Sequence, residues 1–590
     1  MRRRILLGGA LAVSSGALLN LDTATPASAA VTAGTPPTVT PDDLVFPRRP
    51  HRLRRGTPGD VDLIAEHVAR IRRACDEYMR PGDDRDHPSY PGYAVLAARD
   101  GVVVEHAAGG HALRYESWDE EAQEPVELPE DEWQTTSVDT IFDMASVSKL
   151  FTSVAVIQLA EEGLIDLSAP VTRYVPEFAS LDPAKADIVV EQLLTHTAGQ
   201  KAFINLYSLP DNEARMQAIF AEPLVFEPGN DYVYSDLNLI IAATAIENVT
   251  GSSLDRVVAE RITEPLGMSD TMYNPPPSLW DRVAATEYQP WTDRGMIRGS
   301  VHDENAWSFG GVAGHAGVFG TARDLAVFGQ MVLNGGVYEG ERILSEESVR
   351  SMLTNRNTAF GAGAARGLGW QLDQRFFMDA LTSPVSTGHT GYTGTSIVLD
   401  PLSGTQFILL TNRVHPTRER GAVSDYRRAA IRHLARSLPV RARHRRGAWF
   451  GGQTDATETS LTVPLDLNAA GRTTFRLWYD TEPSDTCVLE AEVDGTWTPI
   501  PMSLAVKNHR WNNDGEFSGF SGRQWIECTG VLPVGVGGLR WRYTTDPTQQ
   551  GRGVYLDEIR VFEGPRLVFT STRPRDEATI VTDGWEKSPD

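Results

Sequence analysis

Two serines and a lysine stand close together in the segment FDMASVSKLFTSVAVIQLAEEG, residues 142–163. Ser146 and Lys149 are three positions apart, a spacing that places both side chains on one face of a helix. Lys149 falls in the first turn of the predicted helix, where burial and the positive end of the helix dipole disfavour the charged ammonium. Such a lysine can take up or pass on a proton, as a serine nucleophile requires. The spacing predicts Ser146 as the nucleophile and Lys149 as its proton partner, with Ser148 as a packing or capping neighbour.

The residues after this pair form an apolar run that predicts a central core helix. Helical spacing also marks 60–79 and 419–437. Two apolar runs meet at Asp100-Gly101 in a strong hairpin signal, and a second hairpin is predicted for 395–412. We expect both hairpins to join one antiparallel sheet that is covered by helices, with mostly helical segments over 146–385.

The chain is acidic, with a net charge of −23 over 590 residues. A nucleic-acid binder needs a basic face to displace counterions, so this balance argues against that class of protein. Residues 116–133 contain nine acidic side chains and no basic one, a composition that predicts a solvated loop. If this loop lies near a binding cleft, its charge should repel anionic substrates.

Residues 1–29 have the features of a secretory signal peptide. A charged segment at Arg2 to Arg4 precedes an apolar run from Ile5 to Leu19, and Ala27-Ser28-Ala29 forms a cleavage site. The adjacent arginines suggest a twin-arginine signal, and the general secretory route stays open. The apolar run is too short for a comfortable membrane span. We expect a secreted protein without a stable membrane anchor, and a linker over 30–56.

The composition changes near residue 440, where short β-rich segments begin to alternate with turns. This spacing predicts an all-β sandwich over 441–565 and a C-terminal extension over 566–590. Cys487 and Cys528 fall in the sandwich, where a disulfide and two buried free thiols are both compatible with the sequence. Cys75, in the first helical pattern, is predicted to be an inert core residue.

Further motifs follow the serine–lysine pair in order: LLTHTAG (193–199), YSDLN (234–238), VHDENAWSFGGVAGHAGVF (301–319), GLGW (367–370) and GHTGYTGTS (388–396). Together they resemble the penicillin-recognising serine hydrolases, a group of class C β-lactamases, secreted D-alanyl-D-alanine peptidases and related carboxylesterases. The resemblance covers roughly 57–440. It implies a hydrolase domain of the α/β (α+β) class with a β-lactamase-like fold, in which helices flank an antiparallel sheet and form an all-helical subdomain, and it implies no metal or other cofactor.

The resemblance also implies roles for single residues. Ser146 would be acylated, Lys149 would be its proton partner, and Tyr234 would take the place of the family's catalytic tyrosine. His389-Thr390-Gly391 would be the strand motif beside the acyl group. The backbone N–H groups of Ser146 and Tyr392 would form an oxyanion hole.

Two positions depart from the family pattern. Asp236 stands where the family has the asparagine of Y-x-N, and Asn238 lies two residues out of register. An ionised Asp cannot donate a hydrogen bond to a substrate carbonyl, but it could pair with Lys149 and raise the pKa of that lysine. His389 replaces the lysine of K-T-G, as in some secreted D-alanyl-D-alanine peptidases, and this removes a permanent cation that would bind a substrate carboxylate. Both departures disfavour β-lactam hydrolysis and leave ester or peptide cleavage open.

Other polar residues of these motifs have less specific interpretations. His196 is predicted to fix its loop as a hydrogen-bond donor. His302, Asp303, Glu304 and His315 have side chains that can bind metals, but their spacing matches no metal motif and the resembling family needs no metal.

The segments LRWRYTTD and GRGVYLDEIRV resemble the jelly-roll-like modules appended to secreted bacterial peptidases. Trp497, Trp511 and Trp525 could stack on sugars if they are exposed, and positions in the sandwich core are the alternative. Asp557 is a candidate ligand for a structural Ca²⁺ ion.

Two functions therefore stay open. The first is a secreted serine hydrolase that acts through a Ser146 acyl-enzyme on peptidoglycan stem peptides or small esters. The second is a cell-wall or glycan-binding protein with a vestigial hydrolase domain, an idea that rests on Asp236, His389 and the sandwich. The intact Ser146, Lys149 and Tyr234 favour the enzyme.

Overall fold

The computed structural model describes residues 38–83, 86–419, 424–444 and 446–588. The predicted signal peptide over 1–29 and the first residues of the predicted linker lie outside these ranges. Among the described helices, none combines the length and apolar character that a membrane crossing requires.

A mixed sheet of eight described strands forms the centre of the N-terminal region. The edge strand Arg54–Arg55 runs parallel to its neighbour, and the other described pairings are antiparallel. In order across the sheet, the strands are Arg54–Arg55, Val102–Leu113, Gly92–Arg99, Thr405–Thr411, Ser396–Asp400, Thr387–Thr390 and Gln371–Leu372, with Gln134–Thr135 beside Val102–Leu113.

Both predicted hairpins lie side by side in this sheet. The first turns at Asp100-Gly101, and the second pairs Ser396–Asp400 with Thr405–Thr411. Strand Thr405–Thr411 then pairs antiparallel with Gly92–Arg99, so the two hairpins form one surface. The prediction of a single sheet containing both hairpins is confirmed.

Helices cover the two faces of the sheet and fill the region between the hairpins. The described helices are α1 (Ala65–Glu77), α2 (Ser148–Glu161), α3 (Val190–Thr195), α4 (Asn212–Ala221), α5 (Asp236–Thr250), α6 (Leu254–Val258), α7 (Glu304–Ser308), α8 (Ala322–Leu333), α9 (Glu346–Met352), α10 (Arg375–Met378), α11 (Asp425–Ser437) and α12 (Pro574–Glu577). Short strands between them are Tyr115–Asp119, Glu124–Glu127, Phe142–Asp143, Met272–Tyr273, Tyr288–Gln289, Gly295–Met296, Val318–Gly320, Val337–Tyr338 and Glu341–Arg342.

The sheet separates two cores because successive side chains of a strand point to opposite faces. In strand Gly92–Arg99, Ala94 and Leu96 face the core that contains α2 and α8. Val95 and Ala97 face the core that contains α1 and α11. Helix α2 is buried from Ser148 to Leu159, which explains why its sequence is apolar nearly all round.

The two flanking helices are shorter than their sequence patterns. Helix α1 begins at Ala65, because residues Pro58–Val61 form a separate 3₁₀ turn. Helix α11 is described from Asp425 onward. Cys75 is fully buried in α1, and this burial raises the pKa of its thiol, as expected for an inert core residue.

The acidic segment 116–133 is not a loop throughout, which corrects the prediction. It contains a hairpin of Tyr115–Asp119 with Glu124–Glu127, followed by a 3₁₀ turn at Glu130–Glu132. Arg114 offsets part of its charge through an ion pair with Glu127. The sequence pattern did not predict these strands, because most side chains of the segment are solvated and do not alternate between apolar and polar.

Residues 38–56 pack on the N-terminal region, so the linker prediction is wrong for this part. Leu44 and Leu53 are buried in the α2 core. The carbonyl of Leu44 accepts a hydrogen bond from Arg350, and the N–H of His51 donates to Asn334. Two isolated leucines among Pro, Thr and Arg carry no periodic signal, so the sequence pattern could not reveal this contact.

The C-terminal region is a sandwich of two antiparallel sheets, as predicted. One sheet contains, in order, His509–Asn513, Met502–Val506, Ile526–Leu532, Gly471–Asp480, Gly553–Glu563, Ala448–Phe450 and Glu586–Ser588, with Arg566–Thr570 beside Gly553–Glu563. The other contains Thr496–Pro499, Thr486–Val493, Val536–Thr544, Glu458–Pro464 and Val581–Asp583, with Glu516–Phe517 beside Thr486–Val493. Strands between 566 and 588 belong to both sheets, so the predicted C-terminal extension is part of the sandwich.

Cys487 and Cys528 are buried free thiols in different sheets, which decides between the two alternatives. Trp511 lies in the sandwich core, which contradicts an exposed position. The indole N–H of Trp525 donates to a backbone carbonyl, and Trp497 packs against the guanidinium of Arg540. These contacts do not support a sugar-stacking surface.

Asp557 has a structural partner that replaces the predicted role as a Ca²⁺ ligand. Its carboxylate accepts the backbone N–H groups of His444 and Glu558, at 2.7 Å each. A second contact between the regions is Arg523 of the sandwich, which bridges Asp400 and Asp480. The two regions are therefore joined by buried polar contacts.

Candidate active site

The predicted nucleophile lies on a strained turn. Ser146 is in the 3₁₀ turn Ala145–Val147 that leads into α2. Ala145 has φ = +46°, a conformation that residues other than glycine rarely adopt. Asp143 holds the turn, because its two carboxylate oxygens accept the N–H groups of Ala145 and His302 at 2.8 and 2.6 Å. Strain that the surrounding structure maintains in this way is typical of functional sites.

Lys149 is buried beside the nucleophile. Its Nζ atom donates a hydrogen bond to the Oγ atom of Ser146 at 3.0 Å, which confirms the expected register across one helical turn. The same ammonium donates to the carbonyl of His315 at 3.0 Å and lies 2.7 Å from Oδ1 of Asp236. Ser148 points elsewhere and accepts the N–H of Val318, as a packing neighbour should.

The pKa of Lys149 differs from the prediction that was based on burial and the helix dipole. Burial does lower the pKa of Lys149, but the charge of Asp236 and the contact with Tyr234 outweigh it, so the pKa is raised. The helix dipole and burial alone had predicted a neutral amine. The alternative, in which Asp236 pairs with Lys149, describes the structure, and Lys149 is an ammonium at neutral pH.

Tyr234 stands over this ion pair, with its ring centre 4.9 Å from Lys149 Nζ. His196 packs against the tyrosine at 4.7 Å between ring centres, and its Nδ1 atom accepts the N–H of Ser235 at 3.1 Å. Burial, together with nearby cations, holds the pKa of His196 well below its ordinary value, so the ring is neutral. His196 fixes its loop as predicted, but as an acceptor of that hydrogen bond rather than a donor.

Ser146, Tyr234 and the H-T-G strand line one cleft of about 330 Å³. Its described lining residues are Ser146, Tyr232, Tyr234, Arg366, Gln371, Phe376, His389, Thr390, Gly391, Tyr392, Arg413 and Arg427. None of these comes from the acidic segment 116–133, so the proposed repulsion of anionic substrates has no support in this set of residues.

Gly391 allows the H-T-G strand to approach the nucleophile turn. A Cβ atom there would lie 2.5 Å from the carbonyl oxygen of Met144. The hydroxyls of Thr393 and Thr395 donate to the carbonyls of Asp143 and Met144 at 2.7 and 3.0 Å. The turn that carries Ser146 is thereby fastened to the strand motif.

His389 is buried and neutral. Its Nδ1 atom is 2.8 Å from the carbonyl of Thr390, a contact in which the ring must donate. Its Nε2 atom is then free to accept from Arg366, whose Nη1 atom lies 3.5 Å away. Burial, reinforced by Arg366 and Lys149, holds the pKa of His389 well below its ordinary value. The loss of the K-T-G cation at this position is therefore complete.

Arg366 supplies a cation that the sequence analysis missed. Its side chain is buried, its Nε atom donates to the hydroxyl of Tyr232 at 3.0 Å, and its guanidinium lies 5.0 Å from the ring centre of Tyr234. Within the described ranges, no Asp or Glu forms an ion pair with it. Arg366 directly precedes GLGW but is 23 residues before His389, so spacing alone gave no signal for their contact.

The other residues predicted to bind substrate differ in whether they reach the cleft. Tyr392 is half exposed at the cleft, and its ring stacks on His302 at 5.7 Å. Asn238 is fully buried and accepts a hydrogen bond from Gln200, so it does not replace the asparagine of Y-x-N at the cleft. Asp236 contacts Lys149 and is not among the residues that line the cleft. An oxyanion hole from the N–H groups of Ser146 and Tyr392 stays a prediction.

The polar residues over 302–315 form two groups, since Arg418 joins Glu287 and Glu304 in one network and His315 pairs with Asp303 in the other. His302 contacts Glu287 at 2.8 Å, Glu304 pairs with Arg418 at 2.6 Å, and His315 contacts Asp303 at 2.9 Å. Asp303 and His315 also come within 4.8 Å of Asp236, in a group with metal-ligand types. The ammonium of Lys149 already supplies positive charge to Asp236 there.

The fold and the serine–lysine–tyrosine cluster define a serine hydrolase with an α/β domain and a β-sandwich. The family description Beta-lactamase matches residues 71–432, more than half of the chain. The chain therefore belongs to the beta-lactamase family, whose members are serine hydrolases.

Relatives with similar sequences agree with this assignment. A "Putative D-alanyl-D-alanine carboxypeptidase" of Escherichia coli O157:H7 is 33% identical over 393 residues, which cover 62% of this chain and 86% of that protein. The protein of the same name from Escherichia coli strain K12 is 32% identical over the same shares. A penicillin-binding protein homologue from Caulobacter crescentus has a TM-score of 0.48 at 20% identity, covering 64% of this chain and 99% of its own. That structural likeness is too distant to bear on activity.

Proposed function

We propose that the protein is a secreted serine hydrolase that forms an acyl-enzyme on Ser146 and cleaves short peptides next to a terminal carboxylate. The observation that carries the proposal is the chain of contacts from Ser146 Oγ to Lys149 Nζ at 3.0 Å and from Lys149 Nζ to Asp236 Oδ1 at 2.7 Å. These contacts connect the nucleophile to a carboxylate that can accept its proton.

The proton transfer follows from the charge state of Lys149. As Ser146 Oγ attacks the scissile carbonyl, its proton moves to Lys149 while the ammonium passes a proton to Asp236. Lys149 remains an ammonium, Asp236 becomes neutral, and the new Oγ–C bond gives a tetrahedral oxyanion. Collapse of this intermediate breaks the C–N or C–O bond, and the leaving group takes the proton back through Lys149 and Tyr234. Water then repeats the sequence on the acyl-enzyme.

The substrate class follows from Arg366. A buried guanidinium without a carboxylate partner, next to a neutral histidine, favours a substrate that brings its own anion. A free peptide carboxylate, as in D-alanyl-D-alanine, meets this requirement, and the names of the relatives agree with it. Small neutral esters remain a second class, because the relay at Ser146 does not depend on that anion.

A covalent probe tests the nucleophile. The protein is incubated with a fluorescent penicillin or a fluorophosphonate, and the labelled peptide is mapped by mass spectrometry. We expect one adduct on Ser146, lost in Ser146→Ala and retained in Ser148→Ala, whose hydroxyl only accepts the N–H of Val318. Labelling that survives Ser146→Ala would defeat the assignment.

Secretion rests on residues 1–29 and has its own test. Expression in a bacterium with both export routes should release a protein that begins at Ala30. Changing Arg2 and Arg3 to lysine should block release if the twin-arginine route is used and leave it intact for the general route. A protein retained in the cytoplasm with its first 29 residues would contradict this part of the proposal.

A further inference from the structure

Three carboxylates meet at one corner of the sandwich, far along the chain from the cleft residues. Glu482 and Asp485 lie in the turn between strands Gly471–Asp480 and Thr486–Val493. Asp546 lies just after strand Val536–Thr544. One oxygen of each carboxylate is within 4.8 Å of the other two. We call these three residues the acidic corner.

The acidic corner is buried in spite of its charge. Glu482 is 4% exposed and Asp485 is 1% exposed, and Asp546 is half-buried. Burial, together with the neighbouring acids, raises the pKa of Glu482 to about 8 and that of Asp485 to about 6. These carboxylates therefore repel one another when ionised, and burial increases the cost.

The acidic corner has no basic partner among the described residues, and Asp546 takes part in side-chain hydrogen bonds with Glu482 and Ser484. Across the described residues, no Lys, Arg or His forms an ion pair with Glu482, Asp485 or Asp546. Asp485 accepts the N–H of Asp546 at 2.9 Å, and Asp546 accepts the N–H of Thr548 at 2.9 Å. The Oε1 atom of Glu482 is buried and has no hydrogen-bond partner. A buried carboxylate oxygen without a hydrogen-bond partner, in a residue whose carboxylate is grouped with two others, is a donor that a cation could use.

We propose that the acidic corner binds a Ca²⁺ ion. The donors are all oxygen atoms, which a hard cation prefers, and neither histidine nor cysteine is present to favour zinc. Three carboxylates in irregular turns suit the flexible coordination of Ca²⁺ better than the strict octahedron of Mg²⁺. Waters and backbone carbonyls would complete the shell.

The site would also stiffen the contact between the two regions. The segment that carries Asp546 continues to Gln550, whose N–H donates to Asp379 of the hydrolase region at 3.2 Å. Arg552 follows and donates to the carbonyl of Leu438, directly after α11, at 2.6 Å. An ion that fixes the start of this segment limits the motion of both contacts.

Terbium luminescence on the full-length protein tests the site directly. The hydroxyl of Tyr543 lies 3.5 Å from Asp485, so excitation of tyrosine should sensitise a Tb³⁺ ion bound there. We expect one high-affinity ion per chain, displaced by Ca²⁺ at much lower concentration than by Mg²⁺. The melting temperature should rise with Ca²⁺ concentration, because the ion binds the folded state.

Isosteric variants locate the ion. Glu482→Gln and Asp546→Asn should each weaken Ca²⁺ binding roughly tenfold or more, since each removes one charged ligand. Glu516→Gln, an exposed acid in the same sandwich, should leave binding unchanged. Glu482→Gln and Asp546→Asn both preserve side-chain shape. If either variant fails to fold, terbium luminescence of the wild-type protein still tests the proposal. The absence of Ca²⁺ binding to the wild-type protein, or binding that persists in both variants, would overturn the proposal.

Discussion

On the nucleophile side of the cleft, the buried cation Lys149 has a carboxylate, Asp236, 2.7 Å away. The buried cation Arg366, which lies 5.0 Å from the ring centre of Tyr234, has a tyrosine hydroxyl and a neutral histidine as its hydrogen-bond partners. Burying a charge costs free energy unless an opposite charge or strong hydrogen bonds offset it. The paired cation can therefore move protons within the protein, whereas the unpaired one is suited to the charge of a ligand.

The same reasoning applies, with the opposite sign, to the acidic corner of the sandwich. There the buried groups are acids, and the described residues supply no basic side chain to pair with them. The two proposals therefore differ in the ligand expected, which is an anion at Arg366 and a cation at Glu482. Changes that remove one charge at a time can test whether this distinction between paired and unpaired charges is correct.

Removal of Lys149 should have the largest effect. Lys149→Met deletes the proton carrier and leaves Asp236 without its counter-charge. We expect acylation to slow on the order of 10³-fold, and the free energy of unfolding to fall by about 3 kcal/mol because one member of a buried ion pair is left alone. Stopped-flow measurement of penicillin acylation and urea unfolding report the two effects separately.

The double variant Lys149→Met with Asp236→Asn separates catalysis from stability. It removes both charges, so much of the lost stability should return while acylation stays slow. If stability does not recover, the loss in Lys149→Met comes from packing rather than from an unpaired carboxylate. If acylation recovers, Lys149 is not the proton carrier.

Local spacing in the sequence predicts the pairing of Ser146 with Lys149. The contacts of Arg366, in contrast, depend on the tertiary fold. Ser146 and Lys149 are one helical turn apart, and the hairpin at Asp100-Gly101 is defined by adjacent residues. The Arg366–His389 contact joins residues from separate segments, and no period or motif connects them. The acidic corner likewise brings together turns more than 60 residues apart in the chain. Contacts of this kind have no local signature, because they join residues far apart in the chain that only the tertiary fold brings together.

Removal of Arg366 should have the next largest effect and should depend on the substrate. For Arg366→Gln we expect KM to rise roughly 30-fold for a peptide ending in a free D-alanine carboxylate, since the charge that binds the anion is lost. KM for the same peptide with an amidated terminus should change little. Initial rates of D-alanine or D-alaninamide release, measured side by side, give both values.

Arg366→Lys is the matched control. It keeps the positive charge but loses the planar donor set, so its effect on the free-acid peptide should be intermediate. Equal losses for the acid and the amide in Arg366→Gln would mean that Arg366 only holds Tyr232 and Tyr234 in place. A neutral ester such as p-nitrophenyl butyrate should be affected as little as the amide.

Asp236→Asn should cause the smallest change in the rate of acylation. The pH dependence of that rate should be the most informative result. In the wild type the carboxylate raises the pKa of Lys149 and itself accepts the proton, so acylation should be nearly flat across neutral pH. In the variant, only the contact with Tyr234 still opposes the effect of burial, so the pKa of Lys149 should fall and the neutral amine must serve as the base. The fraction of neutral amine rises with pH, so acylation should fall about tenfold at pH 7 and increase toward alkaline pH.

This profile distinguishes two roles for Asp236. A flat profile in the variant would show that the carboxylate is not the proton acceptor and merely balances charge. The substitution also restores Y-x-N, whose amide can donate to a substrate carbonyl, so nitrocefin opening at high pH should improve relative to peptide cleavage. If the alkaline limb appears without that improvement, Asp236 governs proton transfer but residue 236 does not reach the substrate, which would fit the cleft lining, where residue 236 is not found.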